Sequence, residues 1–124
     1  MKTILIVEDN EKNMKLARDI LRAKGYAVLE AVNGLDGVAL ALQHRPDLVL
    51  MDIQLPDING IEAFTRIRAD AATAKVPVVA FTASVTVNDR SRIGDAGFDG
   101  FLGKPINLKE FVYTVRRLLG EGAA

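Results

Sequence analysis

The sequence predicts an α/β fold, with a five-stranded parallel sheet that is doubly wound and covered by helices on both faces. Five short apolar runs recur along the 124 residues, and segments with apolar residues at helical spacing separate them. Two of the runs, within residues 4–7 and 47–51, are continuous rather than alternating, which is typical of strands buried on both faces. Successive parallel strands must be joined by a crossover connection, which is usually a helix and right-handed. The alternation of strands and helices along the chain therefore predicts five strand–helix units.

The first unit consists of a strand at residues 4–7 and a helix that Asn10 can cap. The Asn10 side chain can accept a hydrogen bond from a first-turn amide, and Gly25 ends the helix. The apolar positions of this helix are Met14, Leu16, Ala17, Ile20 and Leu21.

The second unit has a shorter and more polar strand, residues 27–31, which we expect at or near an edge of the sheet. Asn33 and Gly34 open its helix, and Pro46 ends the region. The predicted apolar face of this helix contains Leu35, Val38, Ala39 and Leu42.

The third strand, residues 47–51, runs directly into Asp52. A loop marked by Pro56 and Asn59-Gly60 follows, and then a short helix with Ile61, Phe64 and Ile67. The fourth strand is predicted at residues 76–81, with Pro77 at its start, where a strand tolerates proline.

The last two helices flank a short fifth strand at residues 99–102. A polar helix is predicted from about residue 88 to residue 96, ending at Gly97. Asn107 and Glu110 resemble a capping box at the start of the final helix. The apolar face of that helix contains Phe111, Val112, Val115, Leu118 and Leu119. One domain is expected at residues 1–119, with a short frayed tail at 120–124.

Composition and charge exclude several function classes. The chain has no cysteine, which excludes disulfides, thiolate metal sites and cysteine nucleophiles and is compatible with a reducing compartment, so we expect it in the cytoplasm. Its 16 basic and 16 acidic residues cancel, which argues against DNA binding by phosphate neutralisation. No apolar run approaches membrane-spanning or signal-peptide length, so membrane insertion is not expected.

Polar side chains stand where the predicted strands end. Parallel strands bring their carboxyl ends to one edge of the sheet, so these side chains should converge there: Glu8, Asp9, Asp52, Thr82 and Lys104. Three nearby carboxylates repel one another, and binding of a proton or a cation reduces this repulsion. Oxygen ligands without histidine or cysteine suit a hard cation, Mg²⁺, with Mn²⁺ as the alternative.

This set of residues suits phosphoryl chemistry. Mg²⁺ usually takes one or two carboxylates and completes its shell with water and phosphate oxygens, while a lysine can hold another phosphate oxygen. Asp52 is single and central, so we predict it as the nucleophile that forms an aspartyl phosphate, with Glu8 and Asp9 holding the metal. Each residue also has a purely structural alternative, such as a turn for Asp52, a helix cap for the acidic pair or a surface position for Lys104.

Four short motifs, in order, resemble the receiver domain of two-component response regulators. They lie at residues 5–10, at 50–56 with Gly60, at Thr82-Ala83 and at Lys104-Pro105, and the resemblance covers essentially the whole chain. It implies the flavodoxin-like strand order 2-1-3-4-5. It also implies that Asp52 takes a phosphoryl group from a histidine kinase or phosphotransfer protein, so the chain is a phosphoacceptor rather than an enzyme.

The resemblance assigns further roles to individual residues. Mg²⁺ is coordinated, directly or through water, by Glu8, Asp9, Asp52 and the backbone carbonyl of Gln54. Thr82 and Lys104 bind the phosphoryl group, Phe101 is the aromatic switch coupled to Thr82, and Pro105 follows a cis bond. Gly60 serves backbone geometry near the site. Gln54 and Ser84 occupy positions where the family tunes dephosphorylation. The sequence departs from the commonest pattern at Glu8, usually Asp, and at Phe101, frequently Tyr.

We interpret the chain as a phosphorylation-controlled signalling module whose output is a protein contact. The resemblance implies a docking face on the fourth helix, fifth strand and last helix, for a partner protein or, after phosphorylation, a second copy; this face includes Val85, Val87, Phe101, Val112 and Tyr113. Met1 and the short tail favour a free-standing regulator, and residues 8–16 are similar to DivK-like regulators that bind sensor kinases.

Two other functions on this fold are the alternatives. A small phosphatase with an Asp nucleophile usually carries a second Asp two residues later, where this chain has Gln54. A flavin-binding module would need a phosphate loop rich in Ser, Thr and Gly after the first strand, where this chain has Glu8-Asp9-Asn10.

Overall fold

The computed structural model describes residues 1–83 and 87–121, without the side chains of residues 87–90. Within them, five strands alternate with five helices. The strands are β1 (Thr3–Val7), β2 (Ala27–Ala31), β3 (Leu48–Met51), β4 (Val78–Thr82) and β5 (Gly100–Gly103). The helices are α1 (Glu11–Ala23), α2 (Gly34–His44), α3 (Gly60–Ala69), α4 (Val87–Ala96) and α5 (Leu108–Leu118).

The strands form one parallel sheet in the order β2-β1-β3-β4-β5, which confirms the predicted fold class and the edge position of β2. β1 and β3 are neighbours in the middle of the sheet, and Val7 is paired with Met51 at their carboxyl ends. The Asp52 amide continues this ladder by donating to the Val7 carbonyl at 3.0 Å. The residues that follow these two strands therefore start from adjacent positions on one edge.

The core consists of two apolar layers, one on each face of the sheet. Alternate residues of β1 enter different layers: Ile4 and Ile6 pack with α1 and α5, whereas Leu5 and Val7 pack with α2 and α3. Because both faces are covered, the central strands contain apolar residues at successive positions, which explains their continuous apolar runs.

Within the described part of the chain, four helices begin at an asparagine cap. The side-chain oxygen of each asparagine accepts a hydrogen bond from the amide three residues on, at 2.8–3.1 Å: Asn10, Asn33, Asn59 and Asn107. This bond satisfies an amide that has no partner inside the helix. The predicted caps at Asn10 and Asn107 and the predicted start of α2 are confirmed.

Four residues predicted on apolar helix faces are exposed instead: Leu16, Leu35, Ala39 and Leu42. In α1 the buried stripe is narrow and consists of Met14, Ala17 and Leu21. In α2 small residues face the sheet, and a Cβ at Gly37 would lie 2.7 Å from a Val7 methyl carbon. The close approach of α2 to β1 places the longer leucines of α2 at its flanks.

The predicted strand bounds shift slightly in the structure. The third strand begins at Leu48 rather than residue 47, the fourth at Val78 rather than residue 76, and the fifth at Gly100 rather than residue 99. Pro77 thus precedes its strand, and its carbonyl accepts a hydrogen bond from the Val49 amide at 2.9 Å.

Two residues of the predicted tail are in contact with the domain, and the first is Gly120, whose amide donates to the Arg117 carbonyl at 3.1 Å. The Glu121 amide donates to the Arg116 carbonyl at 2.9 Å, and the Glu121 carboxylate accepts a hydrogen bond from the Tyr26 hydroxyl. Residues 122–124, the rest of that tail, lie outside the described residues. Among the described helices, none combines the length and apolar character that a membrane span requires.

Candidate functional site

An acidic cluster lies at the carboxyl ends of β1 and β3. Glu8 and Asp52 are buried, with 0% and 4% of their surface exposed, and Asp9 is exposed at the rim. One carboxylate oxygen from each of the three residues lies within 4.8 Å of the other two. The sheet thus brings Asp52 next to two carboxylates that precede it by more than forty residues in sequence.

Lys104 enters this cluster from the turn after β5. Its ammonium group contacts the Glu8 carboxylate and lies 3.2 Å from Oδ2 of Asp52, and its side chain is 7% exposed. The Lys104 backbone is fixed by a hydrogen bond from its amide to the Thr82 carbonyl, at 3.0 Å, and the peptide bond to Pro105 is cis. The same ammonium lies 4.8 Å from the centre of the Phe81 ring, a cation–π distance.

The carboxylate group of Asp52 is held on both of its oxygens. Oδ1 accepts a hydrogen bond from the Gln54 amide at 3.0 Å, and Oδ2 faces Lys104. Behind it, Gly60 lies against the Asp52 backbone so closely that a Cβ there would be 2.2 Å from the Asp52 carbonyl oxygen. Glycine at residue 60 is therefore a steric requirement of this approach.

The cluster carries more negative than positive charge. The pKa of Glu8 is raised to about 7: burial contributes most and a hydrogen bond with Asp52 acts in the same direction, while Lys104 acts in the opposite direction. Lys104 contacts two of the three carboxylates with a single positive charge, and a divalent cation would relieve the remaining excess of negative charge. All three side chains offer oxygen, and His44 is exposed on α2, so the donor set fits a hard cation.

The other predicted site residues lie in β4, in β5 and in the turn after β5, as far as the structure describes them. Thr82 is buried at the end of β4, in register with Gly103 and next to the turn that carries Lys104. Phe101 is half-buried in β5 and helps to line a cavity of about 250 Å³ that also includes Pro105 and Phe111. Ser84 and Val85 lie outside the described residues, as does the side chain of Val87.

Sequence reasoning did not single out Asp57, which lies in the loop between β3 and α3. Its carboxylate accepts hydrogen bonds from the amides of Gly34 and Leu35 at the start of α2, each at 2.8 Å. The sequence contains a signal, an acidic residue and a helix start whose first amides have no partner inside the helix, but the two are 22 residues apart and only the fold brings them together.

Comparisons with known proteins give one family. A family model described as the response regulator receiver domain matches residues 4–116. Two curated relatives are both named polar-differentiation response regulator DivK. The protein from Brucella anthropi is 43% identical and the one from Brucella ovis 42% identical, each over 120 residues that cover 97% of this chain and 98% of the relative.

Solved structures agree with this result. The receiver domain of the sensor histidine kinase PA1611 from Pseudomonas aeruginosa, solved with a magnesium ion coordinated in its active-site cleft, is 35% identical, with a TM-score of 0.90 and coverage of 96% of this chain and 98% of that one. The signal receiver domain of a histidine kinase from Syntrophus aciditrophicus is 28% identical, with a TM-score of 0.89 over 97% and 91% of the two chains.

Proposed function

The chain belongs to the response regulator receiver domain family, and from this premise we propose that Asp52 accepts a phosphoryl group with the help of Lys104 and a bound Mg²⁺. Signal transduction by phosphorelay follows from the family. Within that function, we assign the chemistry to Asp52, Lys104 and the acidic cluster of this chain. The observation that carries it is the contact of one buried ammonium with two carboxylates at the edge of the sheet.

The proposed transfer forms one bond to phosphorus and breaks another. A carboxylate oxygen of Asp52 forms a bond to phosphorus, and the bond from phosphorus to a histidine nitrogen of the donor protein breaks. Lys104 is already within contact distance of Asp52 and can stay paired with an oxygen of the transferred group. Thr82, at the neighbouring strand end, supplies a hydroxyl donor for another oxygen.

The acidic cluster supplies the metal ligands in this proposal. Glu8, Asp9 and Asp52 would hold Mg²⁺, directly or through water, together with the backbone carbonyl of Gln54. When bound, Mg²⁺ neutralises charge on the phosphoryl oxygens. Mn²⁺ would bind the same oxygen ligands.

The proposed partners are a histidine kinase or phosphotransfer protein as donor and a target protein on the α4-β5-α5 face. The phosphoryl group ends on the chain's own side chain, so the chain acts as a phosphoacceptor in the cytoplasm and not as a turnover enzyme. A role in polar differentiation is proposed from the names of the Brucella relatives. The phosphatase and flavin alternatives gain no support, because Gln54 stands two residues after Asp52 and an acidic pair follows β1.

Phosphoryl uptake from acetyl phosphate tests the assignment of Asp52. We expect the intact mass of the parent protein to rise by one phosphoryl group in the presence of Mg²⁺ and to stay unchanged in EDTA. Asp52→Asn should show no gain. Asp95→Asn, at an exposed position on α4, is the matched control and should behave like the parent protein.

Two results would contradict the proposal. Uptake by Asp52→Asn would move the acceptor to another residue. Uptake by the parent protein that is equal with Mg²⁺ and with EDTA would remove the metal from the mechanism.

A further inference from the structure

Asp57 connects the loop after Asp52 to a different element of the fold. We propose that Asp57 is a positioning residue: by binding the start of α2, it fixes the loop segment, residues 53–59, and with it Gln54 beside the acidic cluster. This inference rests on the proposed function, since the loop segment matters there as the carrier of a metal-binding carbonyl.

The contact uses both oxygens of the Asp57 carboxylate. Oδ1 accepts from the Gly34 amide and Oδ2 from the Leu35 amide, each at 2.8 Å. The first amides of a helix have no partner inside it, and a negative charge there is favourable. Partial desolvation acts to raise the pKa of Asp57, but hydrogen bonds from backbone amides, foremost those of Leu35 and Gly34, outweigh it and hold this pKa below its ordinary value.

The surfaces around this contact also fit closely. A Cβ at Gly34 would lie 2.5 Å from Cγ1 of Ile58 and 3.2 Å from Oδ1 of Asp57. Ile58 is half-buried and packs against the apolar layer beneath α2 and α3. The loop segment can therefore rest on α2 only because residue 34 has no side chain.

Other contacts also hold the loop segment, since Leu55 and Ile58 pack against the apolar layer beneath α2 and α3. At one end, the Asp52 amide bonds to the Val7 carbonyl at 3.0 Å; at the other, the Gly60 amide bonds to the Ile53 carbonyl at 2.8 Å. Gln54 is exposed, and its amide bonds to Asp52 within the same stretch of chain. By accepting hydrogen bonds from α2, Asp57 ties the part of the loop segment that carries Gln54 to an element outside that segment.

The test is Mg²⁺ affinity, measured by titrating backbone amide signals in NMR spectra. Asp57→Ala removes the contact from the loop side, and Gly34→Ala disrupts it from the helix side. We expect each to weaken Mg²⁺ binding by roughly tenfold, as removing a group that orients metal ligands commonly does. Asp57→Asn keeps one acceptor oxygen and should be intermediate.

Asn33→Ala is the matched control. Asn33 caps α2 through its bond from the Asp36 amide at 2.8 Å, so its loss weakens the same helix end without touching the bonds of Asp57. We expect Mg²⁺ affinity within about twofold of the parent protein, far from the tenfold loss typical of orienting groups. Equal losses in Asn33→Ala and Asp57→Ala would overturn the inference, because the effect would then be general destabilisation of α2.

A second readout separates this inference from the proposed function. In metal-free protein, hydrogen exchange of the Gln54 amide should be faster in Asp57→Ala than in Asn33→Ala. If the parent protein takes up no phosphoryl group or binds no Mg²⁺, the proposed function fails, and the exchange at Gln54 still decides whether Asp57 positions the loop segment. Unchanged exchange at Gln54 in Asp57→Ala would overturn the inference.

Discussion

At the scale of single residues, Lys104 compensates the buried negative charge of the site. It faces Glu8 and Asp52, and all three side chains are nearly or fully buried. Removal of one partner from a buried ion pair leaves the other charges without compensation. We expect Lys104→Met, which keeps the aliphatic stem near Phe81, to lower the free energy of unfolding of the metal-free protein by about 3 kcal/mol, measured by urea denaturation.

Lys109→Met is the control for this substitution. Lys109 is exposed on α5, so the same change should shift the free energy of unfolding by no more than about 0.5 kcal/mol. If Lys104→Met were as stable as Lys109→Met, the ammonium would contribute nothing to the metal-free fold.

Asp57 gives a pH dependence with a defined sign. Its pKa is lower in the folded protein than its ordinary value of 3.8, so the folded state favours the charged carboxylate. The stability from this group is present above that value and is lost as the pH falls through the folded pKa. The denaturant midpoints of the parent protein and of Asp57→Asn should differ near pH 6 and approach each other as the pH falls below the ordinary value of 3.8. A constant difference would mean that the charge of Asp57 is not involved, since Asp36 in the same helix turn is present in both proteins.

At the scale of elements, α3 starts directly against the backbone of the acceptor residue. A Cβ on Gly60 would lie 2.2 Å from the Asp52 carbonyl oxygen and 2.8 Å from Cα of Ile53, so the backbone itself would have to move. We expect Gly60→Ala to lower the free energy of unfolding by about 3 kcal/mol and to slow phosphoryl uptake from acetyl phosphate, because Asp52 is displaced.

Gly94→Ala separates this steric effect from the general effect of glycine. Nothing lies within 4 Å of the Cβ that would be added at Gly94 in α4. The substitution should therefore stabilise the protein by up to about 1 kcal/mol, because alanine restricts the unfolded chain and favours the helix. Equal effects at the two glycines would show that the contact with Asp52 carries no strain.

The elements were predictable because their signals are local. Asn10 and Asn107 directly precede the helices that they cap, and the continuous apolar run before Asp52 reflects burial on both faces of one strand. The leucines of α2 were misplaced because the distance between α2 and β1 depends on the contact of Gly37 with Val7, which no pattern within a single helix reports.

The candidate site was predictable for a different reason. The topology of a parallel sheet brings the ends of its strands to one edge, so the topology alone places Glu8 next to Asp52. Asp57 was missed because its partners, Gly34 and Leu35, belong to another element, and such a contact depends on the three-dimensional path of the loop.

At the scale of the whole molecule, a chain of zero net charge concentrates negative charge at one edge of its sheet. A cation that binds only the folded protein stabilises it by mass action, by about 2.7 kcal/mol at a free concentration one hundred times its dissociation constant. We expect Mg²⁺ to raise the denaturation midpoint accordingly and EDTA to reverse the rise, whereas KCl at equal ionic strength should not reproduce it. Asp9→Asn removes one ligand and one like charge, so it should reduce the Mg²⁺-dependent increment without destabilising the metal-free protein. An increment in Asp9→Asn equal to that of the parent protein would place the cation elsewhere.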